Sequence, residues 1–135
     1  MPDPFGAPDP PLEAPPGDLP RAIARTLVAA KKEFYGRGPE SAKTFINEDM
    51  VITVMRGGKT TAEDTMLEAG QKDMVRAYRQ IFQNKMEERL TGAMEQLTGR
   101  EVVNYQSQVM FDPFTVVELF FFDQPLDEQG AGSSD

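Results

Sequence analysis

Residues 71–98, QKDMVRAYRQIFQNKMEERLTGAMEQLT, carry the pattern that decides the fold. Met74, Tyr78, Ile81, Phe82, Leu90, Met94 and Leu97 recur mostly at three- and four-residue steps, which predicts one long helix with a broad apolar face. Lys72, Arg76 and Arg79 run along another side. Gly99 is placed to end the helix, while Gly92 inside it costs roughly 1 kcal/mol relative to Ala. A helix of this kind needs an apolar partner, and the rest of the chain is read as what packs on it.

Upstream, Gly70 marks a break from a shorter helix. Thr60 or Thr61 caps that helix, and Glu63 and Asp64 suit its first turn. Further back, Asp18-Leu19-Pro20 reads as a helix start, and Leu19, Ile23, Leu27, Ala30 and Phe34 form an apolar stripe ending at Gly36. Lys43–Glu48 and Met50–Arg56 read as a β-hairpin turning at Asn47-Glu48-Asp49.

Downstream, Val102–Phe111 alternates, with Val103, Tyr105, Val109 and Phe111 on one side, and Asp112-Pro113 turns the chain into a fourth strand, Phe114–Phe122. In that strand Val117, Leu119 and Phe121 occupy one face, and Val116, Phe120 and Phe122 make the other face apolar too. A two-layer domain covers only one sheet face, so Val116, Phe120 and Phe122 are the candidate subunit interface of a homodimer; the alternative is a helix lying over that face. The expected fold is α+β, two-layer, in the order α-β-β-α-α-β-β: a four-stranded, mostly antiparallel sheet with helices on one face. Residues 1–17 form a Pro-rich tail, 18–122 the folded domain and 123–135 an acidic Gly/Ser tail. Eight of the eleven prolines fall in the first twenty residues, so the first segment has little to bury and few donors to pair.

Composition narrows function more than it names it. With neither Cys nor His, the chain has no disulfide, thiol nucleophile, Ser-His-Asp triad or usual zinc site. The net charge of −8 resides at the two ends: eight acidic residues in 1–18 and 123–135 leave fourteen acidic against fourteen basic in between. That balance speaks against nucleic-acid binding. No apolar run reaches the length of a membrane span and no signal pattern opens the chain, so the expected location is cytoplasmic, without direct membrane insertion.

The remaining motifs are weak. Arg56-Gly57-Gly58-Lys59-Thr60 follows a strand and precedes a helix, but a phosphate-binding loop needs a Gly where Thr53 stands. Glu63, Asp64 and Glu68 read as solvated helix carboxylates rather than cation ligands, as do Glu87 and Glu88. Met66, Met74, Met86 and Met94 read as core filler. The best surface candidate is a basic patch of Lys72, Arg76 and Arg79, joined by Arg37 and Lys43, that holds an anion or an acidic partner. The bland reading of the same residues is helix-surface ion pairing. No catalytic residue, metal ligand or cofactor is assigned.

The middle of the chain resembles a bacterial family of small proteins of unknown function, the MpsC subunit of a sodium-translocating, membrane-potential-generating system. The resemblance is carried by Phe34-Tyr35-Gly36-Arg37-Gly38-Pro39, by Lys43 leading into the hairpin, and by Thr61-Ala62-Glu63. Leu97-Thr98-Gly99 and the strand containing Val102 and Val103 complete it, so that it covers residues 20–122. Members often carry an acidic residue soon after a Ser in the third strand; here Gln108 follows Ser107. The resemblance implies a non-enzymatic accessory or regulatory protein near a membrane ion or inorganic-carbon transport system, with a membrane-system protein as partner. The alternative is a small-anion or ligand-binding regulatory domain.

Overall fold

The computed structural model describes residues 18–126, so the expected tail at 1–17, and residues 127–135 of the expected tail at 123–135, lie outside the described residues. Three helices, α1 (Leu19–Tyr35), α2 (Thr61–Glu68) and α3 (Lys72–Thr98), accompany four strands, β1 (Ser41–Asn47), β2 (Met50–Arg56), β3 (Val102–Met110) and β4 (Thr115–Phe122). The order is α-β-β-α-α-β-β, as the sequence pattern predicts. The strands form one antiparallel sheet in the order β1-β2-β4-β3, with β2 and β4 central and β3 at an edge. The helices lie on one face: α1 packs on β1 and α3, and α3 packs on β3.

Local chemistry explains the boundaries. Gly36 (φ 78°) and Gly99 (φ 70°) adopt the left-handed conformation that terminates α1 and α3. Thr60 and Glu63 form a reciprocal capping box at the start of α2. Asp18 precedes α1 without a side-chain cap and pairs instead with Arg21 at 3.5 Å. Residues 123–126 are held rather than loose: the Asp123 N–H donates to the Glu101 carbonyl, and the Leu126 N–H to that of Glu48. Leu126 also packs against the core.

The expected apolar face of α3 holds at Leu90, Met94 and Leu97, but only partly in its N-terminal half, where Tyr78 and Phe82 are half-buried and Phe82 stacks on Tyr35. There Met74 is 51% and Ile81 67% exposed, and the buried positions are Val75, Arg79, Gln83 and Met86. A hydrophobicity pattern cannot find a buried stripe that contains an arginine and a glutamine. Of the four methionines, Met86 and Met94 are buried and Met66 is partly buried, whereas Met74 is exposed.

A second correction concerns β4. Val116, Phe120 and Phe122 are buried under the helices with Val51 and Met55. Alternation identifies two faces but not which of them the helices cover. The uncovered face carries Val117, Leu119 and Phe121, beside Ile52 and Val54 of β2.

Urea unfolding separates the true face of α3 from the expected one. Leu90→Ala removes a buried side chain and is expected to destabilise by about 2–5 kcal/mol. Ile81→Ala is expected to change stability by no more than about 0.5 kcal/mol.

Candidate functional site

The helix-facing side of the sheet has an unusual middle row. The register aligns Thr44 with Thr53, Thr53 with Glu118, and Glu118 with Ser107. Four polar side chains therefore cross the whole sheet under the helices. The neighbouring rows are largely apolar: Ala42, Met55, Val116 and Val109 on one side, and Ile46, Val51, Phe120 and Tyr105 on the other. A polar row in a core is tolerated only when its groups find partners. Thr44 and Thr53 share a 2.8 Å hydroxyl hydrogen bond.

Glu118, with no exposed surface, accepts from three donors. Lys31 Nζ of α1 donates at 2.6 Å and Ser107 Oγ at 2.8 Å, while the Tyr105 hydroxyl bonds the other carboxylate oxygen. Lys31 is itself only 2% exposed. It lies four residues after Leu27, on the apolar stripe of α1, so the helix aims its ammonium at the sheet. Burial lowers the Lys31 pKa, and the Glu118 carboxylate offsets part of that effect.

A second ion pair stands beside the first. Arg79 Nε and Nη2 donate to the two carboxylate oxygens of Glu63, a bidentate arrangement, and Nη2 also reaches the Gly58 carbonyl at 3.3 Å. Glu63 accepts further bonds from the Thr60 amide at 2.9 Å and the Thr60 hydroxyl at 3.1 Å. The Arg79 guanidinium lies 4.0 Å from the Tyr35 ring centroid and 5.0 Å from that of Phe114. The turn at Gly58 requires glycine. Its φ is 86°, and a Cβ there would sit 3.1 Å from the backbone of Gly38 and Pro39.

Tyr35, Gln83 and Tyr105 link the two pairs. The Gln83 amide lies 3.5 Å from the Tyr35 hydroxyl through Nε2 and 2.8 Å from the Tyr105 hydroxyl through Oε1. Tyr105 has one hydroxyl proton, and the charged Glu118 is the stronger acceptor. Turning the Gln83 amide over then orders the chain: Tyr35 donates to Gln83, Gln83 to Tyr105, and Tyr105 to Glu118. Burial, as the largest cause, raises the pKa of both tyrosines; the Glu118 charge adds to it in both, and at Tyr35 the Arg79 charge opposes it while Glu63 adds.

The residues of the expected basic patch do not form one surface. Lys43 lies exposed on the uncovered face of β1. Lys72 pairs with Asp112 at 3.3 Å and lines a cleft of about 280 Å³ with Phe111 and Phe114. Arg37 joins Lys31 and Arg79 around a small cavity beside Gly57 and Gly58. Arg76 is exposed and pairs with Asp73, whereas Arg79 is buried, not superficial. Glu63 is likewise buried rather than solvated; Asp64 pairs with Lys59 at 3.0 Å, and Glu68 is exposed. Among the described residues no group of acidic side chains is arranged to hold a metal ion.

The sequence model described as "Na+-translocating membrane potential-generating system (MpsC)" matches residues 16–124. The chain belongs to the MpsC family. Two similar proteins come from Bacillus subtilis (strain 168). The uncharacterized protein YrhF is 29% identical over 101 residues, 73% of this chain and 83% of its own. The uncharacterized protein YbcI is 26% identical over 96 residues, 69% and 76% of the two chains. No solved structure matches. Membership in the MpsC family therefore assigns this chain a lineage, and its relatives' names assign no residue a role.

Lys31, Tyr35, Thr44, Thr53, Gln83, Tyr105, Ser107 and Glu118 belong to the site, and the sequence pattern marks none of them as site residues. Glu118 left the clearest signal, as the one polar residue between Val116 and Phe122.

The raised tyrosines set a pH dependence. The folded protein keeps two protons that the unfolded chain releases near pH 10, so these groups contribute stability below pH 10 that is lost as pH rises above it. The slope is at most about 1.4 kcal/mol per pH unit for each tyrosine. Lys31, with its pKa lowered, gives a slope of opposite sign below 10.5. Urea unfolding between pH 9.5 and 11 (about one unit around the free tyrosine value) is expected to show falling stability. The Tyr35→Phe/Tyr105→Phe variant is expected to fall less steeply; an equal fall counts against the assignment.

Proposed function

We propose that the protein is a non-enzymatic accessory protein that works by protein–protein contact, through the uncovered face of its sheet, in association with a membrane ion- or inorganic-carbon-transport system. The observation that carries this reading is the apolar character of that face. Ile52 and Val54 on β2 and Val117, Leu119 and Phe121 on β4 stand in its centre. Phe45 on β1, 48% exposed, extends it in the row of Ile52 and Leu119. Among the described residues no helix covers it. Contiguous apolar surface of this kind, rimmed by polar groups, is typical of an interaction site.

The occupant is a second copy of the chain. The rim consists of Lys43 and Asn47 on β1, of Arg56 on β2, and of Asn104, Gln106 and Gln108 on β3. Its charges, Lys43 and Arg56, lie toward one end of the strands and leave the apolar centre free for a two-fold copy, and two such sheets stack face to face about 10 Å apart. The membrane association rests on the family description alone. Among the described residues no helix is long and apolar enough to cross a membrane, so on this reading the chain meets such a system through partner proteins.

The buried carboxylates support a non-enzymatic role. Glu63 already accepts four hydrogen bonds and Glu118 three, from donors fixed within the fold. Neither is held free to move a proton.

Light scattering tests the contact. The wild type is expected to be dimeric at micromolar concentration, and Leu119→Lys to be monomeric with unchanged helix content by circular dichroism. A monomeric wild type overturns the assignment. Affinity capture from native-host membranes with wild type and Leu119→Lys then tests the accessory role; failure of both baits to retain a membrane-system protein counts against it.

A further inference from the structure

The polar row has an open end. Ser107, its last member, lies on edge strand β3, where a cleft of about 200 Å³ separates the sheet from α3. The cleft is lined by Arg76, Arg79, Gln80 and Gln83 from successive turns of α3, facing Ser107 and Gln108 on β3, with Val109 and Val116 as its apolar part. Arg76 and Gln80 are exposed at the rim, and Arg79 and Gln83 are each 5% exposed. Positions 79 and 83 lie on the buried stripe that continues as Met86, Leu90 and Met94. Local structure alone would place apolar residues there, since leaving polar groups in such positions sacrifices burial and invites a desolvation cost. Positions that break the pattern where a cleft opens are candidates for ligand contact.

We infer that this cleft binds a small hydroxy carboxylate. Lys31 and Arg79 are matched by the buried Glu118 and Glu63. Arg76 has, among the described residues, one ion-pair partner, Asp73, bonded through Nη1 at 2.9 Å and 98% exposed, so that pair is screened by solvent and open to exchange for a ligand anion. The Arg76 guanidinium at the rim is steadied by the Phe111 ring 5.0 Å away. Its planar fork matches a carboxylate, and the Gln80 amide next to it, which donates one hydrogen to Asn84 Oδ1 at 2.9 Å, has a second to offer.

The floor selects the second group. Ser107 has given its proton to Glu118, so its remaining capacity is as an acceptor. A hydroxyl on the ligand satisfies it, whereas a bare carboxylate or a fully ionised oxyanion does not. Size excludes larger candidates: the cleft is smaller than the roughly 300 Å³ at which sites for drug-sized ligands begin. This inference stands apart from the dimer contact, since α3 lies on the opposite face of the sheet from Leu119.

Thermal unfolding with sodium glycolate as probe, at ionic strength matched with sodium chloride, tests it. Acetate and sulfate serve as comparators. Glycolate is expected to raise the melting temperature by roughly 5 °C at ten times its dissociation constant, and acetate and sulfate by less. Arg76→Ala, at an exposed position, is expected to keep the wild-type fold and weaken glycolate binding at least about tenfold. Ser107→Ala, measured against its own unliganded melting, is expected to erase the preference for glycolate over acetate. The inference is overturned if glycolate shifts melting no more than chloride does, if acetate or sulfate equals it in the wild type, or if Arg76→Ala binds it undiminished.

Discussion

A carboxylate in the middle of a central strand, sealed under helices, sets the terms for this fold. Glu118 has no exposed surface, and an unpaired charge there would be intolerable. Lys31 must therefore descend from α1, and Tyr105 and Ser107 must present hydroxyls from β3. Those three contacts fix where α1 sits over the sheet and how the edge strand is registered against its neighbour. A buried ion pair of this kind adds little net stability compared with an apolar core of the same shape. Its effect here is positional: the helix layer meets the polar row at the one place where Lys31 faces Glu118.

The second ion pair extends the same logic to the other helices. Glu63 caps α2 with Thr60 and holds Arg79 of α3, while Arg79 bonds the carbonyl at the Gly57-Gly58 turn that follows β2. One guanidinium thus ties together a helix start, a helix middle and a strand exit. Tyr35, at the end of α1, stacks on Phe82 at 4.5 Å and lies beneath Arg79, so the first helix joins the assembly as well. The helix-facing side of the sheet is saturated with internal partners except at the β3 edge, where the cleft opens. The opposite side is apolar and bare. The two faces therefore lend themselves to different tasks, recognition of a small polar molecule on one and contact with a protein on the other.

How much of this is legible in the sequence depends on which rule each residue obeys. The element order, the two left-handed glycine caps at Gly36 and Gly99, the break at Gly70 and the cap at Thr60 follow from local propensity, and the structure has them. The α1 stripe from Leu19 to Ala30 follows from periodicity. The site is hidden because its members break the rules used to find a core. Lys31 and Arg79 look like surface charges, Gln83 looks like solvent, and Glu63 looks like an ordinary first-turn acid. Only tertiary pairing, between residues 87 apart for Lys31 and Glu118 and 16 apart for Arg79 and Glu63, makes their burial affordable. The reversal of the two faces of β4 has a related cause. Both are apolar, and alternation has no term for which one the helices choose.

The central claim is that the two buried ion pairs act as one network through Tyr35, Gln83 and Tyr105. A double-mutant cycle between Glu63→Gln and Glu118→Gln, followed by urea unfolding at neutral pH, tests it most directly. Because the two carboxylates share linked partners, the account predicts a coupling energy of about 1 kcal/mol or more. Additivity within about 0.5 kcal/mol would contradict it and leave two independent ion pairs that happen to be neighbours.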